Sequence, residues 1–168
     1  MANVTLQGNP IQTQGTLPAV GSKAPNFRLA TSALSDVTLD DYQGSKIILN
    51  VFHSVDTGTC AQSVRQFNKE VTQLENTKVL CISKDLPFAQ ARFCGAEGLN
   101  NVINLSDYKT GEFGKDYGLT FIDGPLEALH SRCVIVIDED GIIKYTEQVS
   151  EIVDEPNYKS ALEALQND

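Results

Sequence analysis

The run KIILNVF, Lys46 to Phe52, constrains the fold more than any other stretch. A short apolar run without polar alternation fits a strand covered on both faces, which is the signature of a parallel sheet. KVLCIS, Lys78 to Ser83, and CVIVID, Cys133 to Asp138, repeat the pattern. Between the first two runs, Cys60, Val64, Phe67, Val71 and Leu74 recur at steps of four, three, four and three. That spacing draws one apolar stripe along a helix. The unit is β-α-β, and its two strands are expected to be parallel.

Further elements follow from local signals. VTLQGNPIQTQG alternates around a Gly-Asn-Pro turn and reads as an N-terminal β-hairpin. NFRLAT and VTLDDY are short extended candidates. Pro87 opens a helix over PFAQARFC, in a first-turn position where its missing N–H costs nothing. The glycines of GAEG end that helix. NVINLSD is a strand candidate, and TGEFGKDYG a short Gly-broken helix or loop. The EDG turn joins CVIVID to IIKYTEQV in an antiparallel hairpin. Asn157 to Gln166 closes the chain as a helix with Tyr158, Ala161, Leu162 and Leu165 on one face. The expected architecture is α/β, a thioredoxin-like fold with an N-terminal β-hairpin extension. At 168 residues it is expected to form one domain, 1–168.

Composition narrows the partners. Net charge is −9, and Lys and Arg form no cluster, so nucleic acid is an unsuitable partner. The start MANVTLQGNPIQTQG has neither a basic nor an apolar leader region, and no run approaches the roughly 20 apolar residues that span a bilayer. The expected location is cytoplasmic. In that compartment the four cysteines, Cys60, Cys81, Cys94 and Cys133, are not a structural disulfide framework. No pair has C-x-x-C spacing, and His53 and His130 lie far apart, so neither a zinc site nor a dithiol reductase is indicated.

Cys60 is the candidate nucleophile. It stands where strand meets helix, and a helix N-terminus offers unpaired N–H groups and a positive dipole end. Both favour a thiolate. Thr57 can place a hydroxyl beside the sulfur, and Gly58 lets the backbone come close. Against this, Cys60 lies on the apolar stripe, and buried structural cysteine is common. Arg132 by itself reads as a surface arginine at a strand start. Cys94, near the end of its helix, by itself reads as a core cysteine. Cys81, inside a strand, and Cys133, facing away from Arg132, read as structural.

SVDTGTCAQSVRQFN closely resembles the active-site segment of the bacterial thiol peroxidases, a two-cysteine peroxiredoxin branch. VLCISKDLPFAQARFCGAEGLNNVINLSD, SRCVIVIDEDG and EPNYKSALEAL resemble its later segments. The resemblance implies reduction of hydrogen peroxide and organic hydroperoxides without a cofactor. It implies Cys60 as the peroxidatic cysteine, Cys94 as the resolving cysteine, and Thr57 and Arg132 beside the thiolate. It also implies an intramolecular Cys60–Cys94 disulfide, thioredoxin as reductant, and a homodimer. A disulfide needs Cα atoms within about 4.4–6.8 Å, so local unfolding around Cys94 is expected in each cycle. One position departs from the family pattern: His53 stands where peroxiredoxins usually carry proline, four residues before the threonine. Two other uses of Cys60 compete, a slow redox-sensing disulfide and a cysteine hydrolase with His53 or His130 as base.

Overall fold

The computed structural model describes residues 1–166. Its strands are β1 (Asn3–Leu6), β2 (Asn9–Gln12), β3 (Arg28–Thr31), β4 (Asp36–Thr38), β5 (Lys46–Val51), β6 (Thr77–Ser83), β7 (Ile103–Ser106), β8 (Cys133–Ile137) and β9 (Ile143–Gln148). Its α-helices are α1 (Gly58–Glu70), α2 (Pro87–Glu97), α3 (Glu112–Asp116) and α4 (Tyr158–Gln166). No helix among the described residues is long and apolar enough to cross a membrane.

The apolar runs form the centre of a sheet ordered β4-β3-β7-β6-β5-β8-β9. β5 pairs with β6 in parallel, as the β-α-β pattern requires, and β6 with β7 likewise. β8 lies antiparallel to β5, and β8–β9 is the expected antiparallel hairpin. Alternate residues of each central strand enter opposite cores. Leu49, Leu80, Cys133 and Ile135 pack under Phe27, Phe113 and Tyr117. Ile48, Cys81 and Val134 pack under α1, α2 and α4 through Val64, Phe67, Phe93, Ala161 and Leu165. Fully burying a side chain such as Phe67 contributes roughly 1.5–3 kcal/mol, so the stripe on α1 anchors that helix firmly. Leu74, the stripe's last member, falls beyond α1 after a short 3-10 turn and still packs on the same core.

Local details differ from expectation in three places. The hairpin turns at Gln7 and Gly8, with φ of 50° and 84°, and not at Gly-Asn-Pro. Two positive φ values give the turn whose twist matches the strands, and glycine takes the second at little cost. Pro10 sits inside β2 opposite Thr5, tolerated because this sheet is only two strands wide. VTLDDY is extended only to Thr38. Leu39–Tyr42 then turns as a 3-10 helix, with the Thr38 N–H donating to Asp41 Oδ2 at 2.7 Å. In α2, Gly95 is helical and Gly98 alone makes the cap, at φ 67°.

The β1–β2 hairpin is tied to the chain before α4. Thr5 N–H donates to the Ser150 carbonyl and Ile152 N–H to the Thr5 carbonyl, each at 2.8 Å. The Glu151 carboxylate accepts from Gly8 N–H (2.8 Å), Gln7 N–H (3.1 Å) and Thr5 Oγ1 (3.0 Å). These bonds, that of Gly8 foremost, hold its pKa below the usual carboxylate range. A depressed folded pKa gives stability that is complete above the unfolded value and is lost as pH falls through the folded one. The protection of the Gln7 and Gly8 amides against hydrogen exchange, relative to the intrinsic rate at each pH, is therefore expected to fall as Glu151 protonates in acid. In Glu151→Ala that protection should be low at every pH. Exchange at these amides that ignores both changes would show that the carboxylate does not hold the hairpin.

Candidate active site

β5 ends at Val51, and the chain crosses to α1 through Phe52–Thr57. Asp85, in the β6–α2 connection, fixes this loop. Its carboxylate accepts from Ser54 Oγ at 2.7 Å, Val55 N–H at 2.9 Å and Ser83 Oγ at 2.6 Å. Gln90 of α2 donates to the same Ser83 hydroxyl at 3.1 Å and to the Leu105 carbonyl at 2.9 Å. The loop and the start of α2 therefore share one polar network. Asp85 is a site residue that sequence reasoning missed. The available signal was an acidic residue wedged between a buried strand and a proline-opened helix.

Thr57 is the N-cap of α1, with extended backbone at φ −110° and ψ 147°. Its side chain does not cap the helix. Its hydroxyl donates to the Ser54 carbonyl at 2.9 Å and lies close enough to the Cys60 thiol to favour its ionised form. The first-turn N–H groups of α1 thus stay available to an anion. Cys60 follows within that turn and is fully buried. Its own carbonyl accepts from Ser63 Oγ at 2.7 Å, and Ser63 Oγ accepts from Asn50 Nδ2 of β5 at 3.2 Å. The helix start is thereby pinned to the central strand.

Three side chains converge on the Cys60 sulfur. His53 places Nδ1 and Nε2 each 3.6 Å from Sγ. Arg132, just before β8, is buried, and its Nε donates to the Ile152 carbonyl at 3.0 Å. Its Nη1 has no hydrogen-bond partner among the described residues. Burial is the largest single influence on the thiol and opposes its ionisation. The His53 hydrogen bond and charge, the Arg132 charge and the Thr57 hydroxyl together outweigh burial and bring the pKa down to about 7.

The other thiols differ. Burial pushes Cys81 and Cys133 up to about 12, against the weaker pull of Asn50 and Ser131 respectively. Cys94 lies in the last turn of α2 and is pushed up by burial, partly offset by Asn104 Nδ2 donating to its Sγ at 3.0 Å. Its sulfur thus engages β7, not Cys60, and all four cysteines are free. α2 is nevertheless bound to the Cys60 region. Arg65 of α1 forks onto Glu97 at 2.7 and 2.9 Å, and Arg92 reaches Asp56 of the loop at 2.7 Å.

Of the sequence-derived candidates, Cys60, Thr57, Arg132 and His53 are brought together, and Cys94 stands on the adjacent helix. His130 is elsewhere. It binds Asp107 Oδ2 at 2.8 Å and Thr120 Oγ1 at 3.2 Å, fully buried under α3. It has the orienting carboxylate that the sequence did not reveal, but its hydroxyl partner is Thr120. A hydrolase pairing of His130 with Cys60 is thereby excluded.

Comparison with known proteins identifies the family. The Redoxin family profile matches residues 19–162. Thiol peroxidases of Mycobacterium bovis and Mycobacterium tuberculosis are 52% identical over 165 residues, covering 98% of this chain and 99% of theirs. The crystal structure of a peroxiredoxin-like protein from Aquifex aeolicus superposes with a TM-score of 0.93 at 31% identity, covering 99% of this chain and 96% of that one. A thiol peroxidase from Chromobacterium violaceum shares the fold at a TM-score of 0.90 and 23% identity, covering 98% of this chain and 95% of that one. A thiolate-stabilising pocket at a strand-to-helix junction, on this fold and with these relatives, has one reading: the chain belongs to the Redoxin family, among its thiol peroxidases, and reduces peroxides at the expense of thiols.

Proposed function

We propose that Cys60 is the peroxidatic cysteine and Cys94 the resolving cysteine of a thioredoxin-dependent hydroperoxide reductase, a single domain over 1–168 that works as a homodimer in the cytoplasm. The observation that carries this reading is the buried Cys60 sulfur in the first turn of α1, 3.6 Å from both His53 ring nitrogens and under the influence of Arg132 and Thr57, which together favour its thiolate. The thiolate attacks one peroxide oxygen in line with the O–O bond. An S–O bond forms, the O–O bond breaks, and the second oxygen leaves with growing negative charge. Arg132 Nη1, unpartnered among the described residues, is a donor ready for that charge, and the first-turn N–H groups of α1 are further candidates. Arginine keeps its charge at any working pH, so it serves both the thiolate and the leaving oxygen.

The product is a Cys60 sulfenic acid. Condensation with the Cys94 thiol gives a disulfide and water before further oxidation can occur. The raised pKa of Cys94 suits this order, because a protonated thiol does not compete for peroxide. α2 must open for the sulfurs to meet, since Cys94 is held by Asn104 within a formed helix. Thioredoxin would then return both thiols.

Mass spectrometry after one equivalent of hydrogen peroxide should find a Cys60–Cys94 bridge in the wild type. It should find a sulfenic acid on Cys60 in Cys94→Ser and no reaction in Cys60→Ser. A bridge between any other pair would overturn the assignment. A monomer in analytical ultracentrifugation at working concentration would remove the dimer from the reading.

Arg132→Met should raise the midpoint of Cys60 alkylation by iodoacetamide from about 7 toward that of ordinary cysteine. It should also slow peroxide reduction by on the order of 100-fold or more, the usual cost of losing one donor to a developing oxyanion. An unshifted midpoint with an unchanged rate would dismiss the guanidinium from the chemistry.

A further inference from the structure

The groups around the Cys60 sulfur are unequal in one respect. Arg132 stays charged and releases no proton. The Thr57 hydroxyl directs its proton at the Ser54 carbonyl, 2.9 Å away, and is far too weak an acid to give it up. Imidazole alone among them exchanges a proton near neutral pH. His53 is buried, and both of its ring nitrogens stand 3.6 Å from Sγ. Among the described residues its ring has no hydrogen-bond partner besides Cys60. Its place is fixed by the next two residues, since the Ser54 hydroxyl and the Val55 N–H are both bound to Asp85. A proline here would shape the loop and carry no proton.

We propose that His53 is a catalytic proton carrier, which takes the proton of the Cys60 thiol and delivers it to the oxygen that leaves the peroxide. The inference rests on the reading in which Cys60 attacks peroxide. In the resting site, the thiol proton moves to the imidazole and gives a thiolate–imidazolium pair. In the attack, sulfur forms a bond to the hydroxyl-bearing oxygen of ROOH and the O–O bond breaks. The departing RO⁻ takes the imidazolium proton and leaves as ROH. The site ends with a neutral imidazole and Cys60 as sulfenic acid. Sulfur has been oxidised, peroxide reduced, and no other reactant is needed.

The charged and titratable groups on the elements around it are few. They are Cys60 on α1, Arg132 before β8, Tyr158 of α4 within reach of the Arg132 charge, Asp85 holding the loop, and the exposed Asp56–Arg92 pair. Among the described residues only Cys60 is a hydrogen-bond partner of the ring. Loss of the imidazolium proton should therefore show directly in the rate on the alkaline side.

The test compares two oxidants that differ in what leaves. tert-Butyl hydroperoxide releases an alkoxide, which needs a proton. Peracetic acid releases a carboxylate, which does not. Second-order rates of wild type and His53→Gln are measured with each and divided by the thiolate fraction found by alkylation at the same pH. We expect His53→Gln to lose on the order of 100-fold with tert-butyl hydroperoxide and much less with peracetic acid. Equal losses with both oxidants, or no loss with either, would overturn proton delivery. Retained peracetic acid turnover also certifies that the variant is folded. Should the variant fail to fold, the wild type decides alone: its rate with tert-butyl hydroperoxide must decline on the alkaline side, and a level plateau there overturns the proposal. A wild type that consumes neither oxidant through Cys60 would overturn the underlying assignment of the nucleophile, a different result from failure of the proton role.

Discussion

Water does not reach the Cys60 sulfur, and a bare anion in such a place costs several kcal/mol after all relaxation. The rest of the site exists to replace that lost hydration. An imidazole, a hydroxyl and a helix start supply it from the continuous stretch His53–Cys60, and a guanidinium from Arg132 just before β8. The same chain contains its own controls. Cys81 and Cys133 are equally buried, yet each has only one neutral hydrogen-bond partner, Asn50 or Ser131, and both thiols are pushed up to about 12. All three sulfurs are shut off from solvent, and His53, which only Cys60 has as a partner, is the main difference in their surroundings.

Those partners must themselves be held. A buried guanidinium is as costly as a buried thiolate, and Arg132 satisfies it only in part. Nε has the Ile152 carbonyl, while Nη1 is left open. An unpaired buried donor of this kind sacrifices about 1–3 kcal/mol, more for a charged group, and on the proposed mechanism that is the cost of a donor kept ready for substrate. The Ile152 carbonyl is positioned in turn by the N-terminal hairpin, through the Thr5 backbone and the Glu151 carboxylate. One residue further on, the Val153 carbonyl accepts from Thr59 Oγ1 in the first turn of α1, at 2.8 Å. The hairpin touches no reacting atom. It nonetheless sets the short segment that holds both Arg132 and the start of the catalytic helix.

The parts of this arrangement visible in the sequence are those encoded by side-chain pattern. Unbroken apolar runs marked the central strands, a stripe from Cys60 to Leu74 marked α1, and strand-to-helix placement singled out Cys60. The parts that were not visible are encoded by backbone groups or by distant pairings. The carbonyl of Ile152 leaves no trace in residue identity, because any residue offers one. Asp85 meets Ser54 and Val55 across some thirty positions of chain, and Asp107 meets His130 across a similar gap. No periodicity reports such contacts. The hairpin turn failed for a local reason: Pro10 outweighed Gln7-Gly8 in the reading, whereas the twist of the strands favoured the pair with positive φ.

On the proposed cycle, α2 must both hold Cys94 away from peroxide and release it to the sulfenic acid, and its attachments fit that double demand. Inward contacts come from Gln90, Phe93 and Cys94, while Leu86 and Phe88 at its start face solvent. Its links to the Cys60 region, Arg65–Glu97 and Arg92–Asp56, are surface ion pairs, which contribute little stability and loosen readily. α1 has a continuous buried stripe and no such freedom. Local opening therefore falls to α2, the element with the fewest apolar anchors of the two. The opening does not stop at Cys94. Gln90 would leave Ser83, Ser83 is a donor to Asp85, and Asp85 holds the loop at Ser54 and Val55 beside His53. Release of the resolving sulfur thus weakens the clamp on the loop over the peroxidatic one. On that cycle the two sulfurs would be freed to meet through a single chain of hydrogen bonds, and re-forming that chain would restore the pocket in which the next thiolate is made.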